Sequence, residues 1–373
     1  MLRIYYAAIL VLAVALPSFA TDIQWGINGH PLSGAAYEDT LIDFHLDLIE
    51  ELGMTHYRID INQDASGLLS SSDEAQLNSL ISACASRNIT IYPVLSLPGA
   101  LNAADAATAW QAGFSIGSQF AADFGNSLDY YGLGNNADDM LDPVNDGLTT
   151  ADYDAAKTAL MLPYLHGMAT AIRQQDPTAE IAISGSWIHF GFLDLVDTFT
   201  YNSTPVAFDI IDWRWYSSMG ELTDIDGGHG NLFDTLDNYG KTIWLGEINR
   251  LQGTDGQTSS TYSFNEDPDN DTAMSQWLER YSQQAIDSGV VDAVFVYALL
   301  DEPYQVNGHK GYGLIDWLAT GVYDFSIYDL KPAFDTVKLV IERERYGNED
   351  RIRAIFERIL NTEPTQSDLD YWV

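Results

Sequence analysis

Eight short runs rich in β-branched and aromatic residues recur along this 373-residue chain. Segments whose apolar residues keep helical spacing separate most of them. The runs are IQWGING near 23–29, HYRIDI at 56–61, TIYPVLSL at 90–97 and DYYGLG at 129–134. They continue with EIAISGSW at 180–187, FDIIDWRWY at 208–216, KTIWLGEI at 241–248 and VDAVFVYALL at 291–300. Between the first two, Leu41, Phe44, Leu48 and Leu52 mark a helical face that Gly53 ends. Alternation of this kind specifies an α/β chain with parallel strands, and eight strands suit a closed TIM (β/α)8 barrel. No run is followed by GxGxxG, so a dinucleotide-binding sheet loses its main support. Polar residues gather just after the runs, at the edge where a barrel builds its active site.

The two ends differ from this pattern. Arg3, the apolar stretch Ala7–Leu16 and the small-x-small triplet Ser18-Phe19-Ala20 read as an export leader spanning 1–20. The apolar stretch is too short to span a bilayer. The barrel is expected over 21–345, its last helix following the Lys331-Pro332 turn. Residues 346–373 then read as a partial C-terminal helical module, with Ile352, Ile355, Phe356 and Ile359 on one face. The expected location is outside the cytoplasm, secreted or periplasmic.

Charge narrows the partners. With 54 acidic and 17 basic residues, the chain carries a formal charge of −37. Such a surface repels nucleic acid and anionic membranes, and makes a polyanionic polysaccharide a less comfortable substrate. A single cysteine, Cys84, excludes an intrachain disulfide, and its helical register with Leu77, Leu80 and Ile81 places it in the core. The seven histidines lack metal-binding spacing such as HExxH. The stretch DPDNDT at 267–272 lacks the glycine and terminal glutamate of a calcium loop. No metal and no cofactor is expected. The expected partner is a polysaccharide or oligosaccharide, without nucleic acid or stable membrane insertion once the leader is removed, and the expected state is a monomer.

Glu247 closes a strongly apolar run, where a carboxylate is costly unless it is hydrogen-bonded or functional. Cleavage of a glycosidic bond with retention needs two carboxyl groups about 5 Å apart, one a nucleophile and one an acid/base. Glu247 is the candidate nucleophile, with a structural glutamate as the other reading.

The segments WGINGHPL, YYGLGNNADD, GSWIHFGFLD, RWY at 214–216, WLGEIN, FVYALLDEP and GYGLIDW, in that order, resemble the clan of (β/α)8-barrel glycoside hydrolases that includes families 5 and 39. They read closest to family 39-like secreted bacterial polysaccharide hydrolases, over about residues 22–340. In that clan strand four ends in Asn-Glu, with Glu as acid/base. Strand six ends in a His-x-Tyr-like element, and strand seven ends in the nucleophile Glu. The resemblance therefore implies that Glu247 is the nucleophile and Asn136 occupies the acid/base position. It further implies that Asn135 bonds the sugar 2-hydroxyl, Arg58 orients Glu247 and Tyr216 hydrogen-bonds it. His30, Trp187, His189, Trp213, Arg214, Tyr297 and Asp301 become candidates for stacking on sugars or bonding hydroxyls; for the aromatics, core packing is the other reading. Arg58 has Asp60 as an alternative partner.

The departures are chemical. Asn136 cannot donate a proton as an acid does. Arg214 stands at the strand-six His position, and Gly132 and Ala298 stand where larger polar side chains are expected. Asp138 or Asp139 is the alternative acid, although the sequence favours a solvated turn for both. Two functions follow: a retaining glycoside hydrolase, or a catalytically impaired barrel that binds carbohydrate.

Overall fold

The structure, a computed structural model, describes residues 23–64, 66–225, 227–250, 268–302, 311–317, 328–355 and 365. The expected leader and most of the expected C-terminal module therefore lie outside the described residues. Among those described, eight parallel strands close a barrel: β1 Gln24–Gly29, β2 His56–Ile61, β3 Thr90–Leu95, β4 Tyr130–Leu133, β5 Glu180–Ser186, β6 Ile210–Tyr216, β7 Thr242–Asn249 and β8 Val291–Val296. Each pairs with its sequence neighbours, and β8 closes onto β1. The helices are α1 Ile42–Leu52, α2 Ser71–Ser86, α3 Ala106–Phe124, α4 Ala155–Gln175, α5 Phe190–Thr198, α6 Leu232–Asp237, α7 Pro268–Ser288 and α8 Pro332–Ile355.

Local chemistry explains where the helices begin and end. Ser70, Asp105 and Asp154 cap α2, α3 and α4 by accepting backbone N–H bonds of the first turn. Gly53 ends α1 in the left-handed conformation that glycine adopts cheaply. Helix α7 starts at Pro268, so most of DPDNDT is helical and does not form a calcium loop. Helix α8 runs unbroken through residues 345 and 346, where the sequence changes composition, to Ile355. The helix was expected to stop near 345; its continuation shows that the composition change does not break the helical backbone.

Strand alternation sorts side chains into two layers. Tyr92, Val94, Ala182, Ile210, Trp244, Ala293 and Phe295 form a compact cluster that plugs the barrel. The residues of opposite parity join the larger core between strands and helices, where Cys84 is also buried. On β6 the parity is plain: Ile210, Asp212, Arg214 and Tyr216 point one way, and Ile211, Trp213 and Trp215 the other.

One irregularity positions the site. Leu245 pairs with Trp213 while Glu247 pairs with Arg214, so Gly246 is an extra residue in β7. The pairing with β8 shifts over the same stretch. A bulge of this kind re-aims the following side chain, here Glu247. Glycine is required at 246 because a Cβ there would collide with the Asp212 carboxyl. Gly132 has a similar cause: the Tyr92 hydroxyl, at 2.9 Å, and Val94 occupy the space a side chain would need.

Substituting Gly246→Ala should therefore destabilise the barrel by about 2–3 kcal/mol, the upper range for overpacking. Chemical denaturation checks this, and wild-type stability in the variant would refute the steric account of the bulge.

Candidate active site

The mouth of the barrel is organised around Arg58. This side chain is 2 % exposed, so its charge has to be answered by nearby protein groups. Its Nη1 lies 2.8 Å from Glu247 Oε1, a close charge contact without an aligned hydrogen bond. The same nitrogen donates to Asn28 Oδ1 at 2.7 Å. Its Nη2 donates to Asn135 Oδ1 at 3.5 Å. On the barrel side, Nε lies 3.6 Å from Asp212 Oδ2. Asn28 in turn donates to the carbonyls of Gly246 and Val296, tying β1 to the bulge and to β8. Side chains from β1, β6 and β7 and from the loop after β4 thus converge on one guanidinium.

Glu247 is held from its other side as well. The Tyr216 hydroxyl donates to Oε2 at 2.5 Å. Above it opens a cleft of about 270 Å³, lined by Asn135, Asn136, Arg214, Tyr216, Glu247 and Tyr297. Tyr312, Ser218 and Met219 complete its wall. Burial, then the Glu247 charge, pushes the Tyr216 and Tyr312 hydroxyls well up, so both stay neutral donors. Asp212 has no exposed surface and accepts from the Tyr92 hydroxyl at 2.7 Å. Its burial outweighs Arg58 and Tyr92, and raises the carboxyl above the usual range.

A second cluster flanks the cleft beside β4. Asp138 has no exposed surface and accepts from Ser186 Oγ (2.7 Å), His189 Nδ1 (2.7 Å) and Arg214 Nη2 (3.1 Å). Burial opposes its charge, but His189, Arg214 and Ser186 together hold it below the usual carboxylate range. The solvated turn expected for this residue is therefore corrected: three partners from β5, the segment after it, and β6 pull Asp138 inside. Held as a carboxylate, it is also unsuited to act as an acid. Asp139 is half exposed, and burial followed by the Asp138 charge raises its carboxyl. Asp138, Asp139 and His189 bring potential ligand atoms within 4.8 Å of one another. The Arg214 guanidinium already supplies the charge that a cation would bring to Asp138.

A third cluster closes the other flank. His30 Nδ1 lies 2.7 Å from Glu302 and its Nε2 lies 3.5 Å from Asp60. Its ring packs edge-on against Tyr297, 5.6 Å between centroids. Burial alone would lower the His30 pKa, but the hydrogen bonds it donates to the Asp60 and Glu302 carboxylates outweigh it and hold the group near 10.

Of the residues picked from sequence, Arg58, Asn135, Asn136, Arg214, Tyr216, Glu247 and Tyr297 meet at the cleft. His30 adjoins it through Tyr297, and Trp187 packs against His189. Two expectations are corrected. Trp213 has outward parity and stacks on Phe190 in the core, so it does not face a sugar. Asp301 is fully buried and binds Lys331 Nζ at 2.7 Å and the Gly313 N–H at 2.8 Å, which makes it a tie beneath the mouth. Burial pushes its carboxyl up to about 7 even so. His189 is occupied by Asp138 through Nδ1 and serves that cluster. Sequence reasoning missed Asp212, Asn28, Glu302 and Tyr312. Inward parity with Arg214 and Tyr216 was the available signal for Asp212.

Solved structures with the same fold include a β-glucosidase from Thermotoga maritima in complex with deoxynojirimycin, at TM-score 0.63 and 13% identity over 87% of this chain and 98% of that one. A family 1 β-glucosidase from the same organism matches at TM-score 0.62, again with 13% identity over 87% and 98% of the two chains. A family 39 glycoside hydrolase from the gut symbiont Bacteroides cellulosilyticus matches at TM-score 0.58 and 13% identity, over 86% of this chain and 64% of that one. At this identity the likeness shows the shared barrel fold alone. No family model matches the sequence, and no curated protein sequence does.

The His30 cluster carries a pH signature. Its folded pKa lies above the ordinary 6.5, so its stabilisation is complete below about pH 6.5 and is lost as pH rises through about 10. The stability gap between wild type and His30→Gln should be widest near pH 6 and should narrow toward pH 10. Urea unfolding of both proteins across that range checks it; a gap independent of pH would show that no imidazolium is held there.

Proposed function

We propose that this chain is an exported glycoside hydrolase that cleaves O-glycosidic bonds of a polysaccharide by a retaining double displacement, with Glu247 as nucleophile. The observation that carries the reading is the grip on Glu247: a carboxylate at a strand end, ion-paired to Arg58 and bonded by Tyr216, beneath an open cleft that Asn135 also lines. Catalytic groups at the C-terminal ends of barrel strands keep their geometry because the closed sheet fixes it.

In this mechanism Glu247 Oε attacks the anomeric carbon while the bond to the leaving oxygen breaks, which gives a glycosyl ester. Arg58 holds the nucleophile in line by its charge. Tyr216 holds the second oxygen, fixing the carboxylate plane. Asn135, steadied by Arg58, bonds the 2-hydroxyl of the sugar in this mechanism. Water then attacks the anomeric carbon as the ester bond to Glu247 breaks, and the proton it gives up balances the one the leaving oxygen takes up. Tyr297 and the His30–Asp60–Glu302 cluster are the groups offered to the sugar hydroxyls. The acidic protein favours neutral glycans over polyanionic ones.

Asn136 favours a second reading, a barrel that binds carbohydrate without cleaving it, because an amide at the acid/base position cannot protonate a leaving group. The two separate in an assay of wild type and Glu247→Ala against a panel of neutral polysaccharides and 2,4-dinitrophenyl β-glycosides. The enzyme reading expects turnover by wild type, with product of retained anomeric configuration, and a loss of about 10⁴-fold or more in Glu247→Ala. Binding by calorimetry with no cleavage of any member by either protein would establish the second reading and overturn the first.

A further inference from the structure

We propose that Asp139 is the acid/base partner of Glu247, the function having moved three residues along the loop after β4 from the position now held by Asn136. The inference rests on the hydrolase reading and names a further catalytic residue for it.

The backbone at residue 136 is unfavourable for a glutamate. Asn136 has φ +61, a left-handed conformation that asparagine tolerates and glutamate adopts only with strain. The chain turns there, and the Met140 N–H bonds back to the Asn136 carbonyl. Asp138 then plugs into Ser186, His189 and Arg214 and anchors the turn. That anchoring leaves the next carboxyl, Asp139, at the surface of the same cluster, 53% exposed and 3.8 Å from Arg214 Nη2. Its other oxygen is 3.7 Å from His189 Nδ1.

Arg214 links this carboxyl to the cleft. It is nine-tenths buried, lines the cleft with Asn136 and Glu247, and its Nε has no hydrogen-bond partner. Its backbone pairs with that of Glu247 across the bulge. Asp139 is thus the half-exposed carboxyl beside a cleft-lining cation whose strand neighbour is the nucleophile. A proton donor must reach solvent and leaving group alike, and Asp138, fully enclosed and held charged, cannot. Burial, followed by the Asp138 charge, raises the Asp139 carboxyl above its ordinary value, the direction the role requires.

As Glu247 bonds to the anomeric carbon, the bond from that carbon to the glycosidic oxygen breaks, and the Asp139 proton moves to that oxygen. In the second step water adds to the anomeric carbon, its proton moves to the Asp139 carboxylate, and the ester bond to Glu247 breaks.

The test compares wild type with Asp139→Asn on β-glycosides that carry either a phenyl or a 2,4-dinitrophenyl leaving group, with and without sodium azide. The expected result is a fall in kcat/KM of about 10²–10⁴-fold on the phenyl glycoside. On the dinitrophenyl glycoside, which needs no protonation, kcat/KM should be nearly kept while kcat falls, because the second step has lost its base. Azide should restore kcat and give a glycosyl azide of retained configuration, which a merely structural loss would not produce. Unchanged kcat/KM on the phenyl glycoside in a folded Asp139→Asn protein would overturn the proposal, and Glu247-dependent turnover would then still support the hydrolase. If wild type cleaves neither glycoside and no polysaccharide, the hydrolase reading falls and this inference with it.

Discussion

A single buried guanidinium sets the terms for the rest of the mouth. Arg58 carries a full charge at 2 % exposure, and the desolvation it suffers is offset only if carboxylates and carbonyl oxygens surround it. Glu247 and Asp212 supply the charge, and Asn28 and Asn135 supply neutral acceptors. Removing one of these carboxylates would strand the guanidinium at a cost of about 3–5 kcal/mol. Structure and chemistry are joined here: the group that balances Arg58 on the open side is the one proposed to attack the sugar.

The fold meets this demand by one local departure from regularity. Strand β7 carries an extra residue, Gly246, and so Glu247 leaves the strict alternation that Trp244 and Leu245 obey. The Asp212 carboxyl fills the space of the missing Cβ and reaches Arg58 from below. Bulge, glycine and buried acid form one device, and the rest of the barrel is a rigid frame for it. The cluster of Asp138, His189 and Arg214 stiffens the loop after β4 in the same way, with a buried carboxylate satisfied by three donors.

Much of this was legible in the sequence, and the reasons are physical. Eight strands of period two separated by amphipathic helices specify the barrel, and a carboxylate at the end of WLGEIN marks the mouth. Parity along FDIIDWRWY carries Asp212, Arg214 and Tyr216 to one face and Trp213 to the other, a signal that the choice of Trp213 as a sugar contact passed over. What stayed hidden depends on partners brought from afar. Asp138 looks like a turn residue until His189 and Arg214 enclose it, and Asp301 looks like a site residue until Lys331 arrives from the segment before α8. No local pattern encodes such long-range ion pairs.

The central claim is that Glu247, braced by Arg58, becomes covalently bonded to the sugar. The most direct measurement is trapping with 2,4-dinitrophenyl 2-deoxy-2-fluoro-β-glycosides, followed by peptide mass mapping of the labelled protein. The account predicts one fluorosugar per chain, attached to Glu247. Turnover of the parent glycosides with the label on another residue, or with no covalent adduct at all, would contradict it.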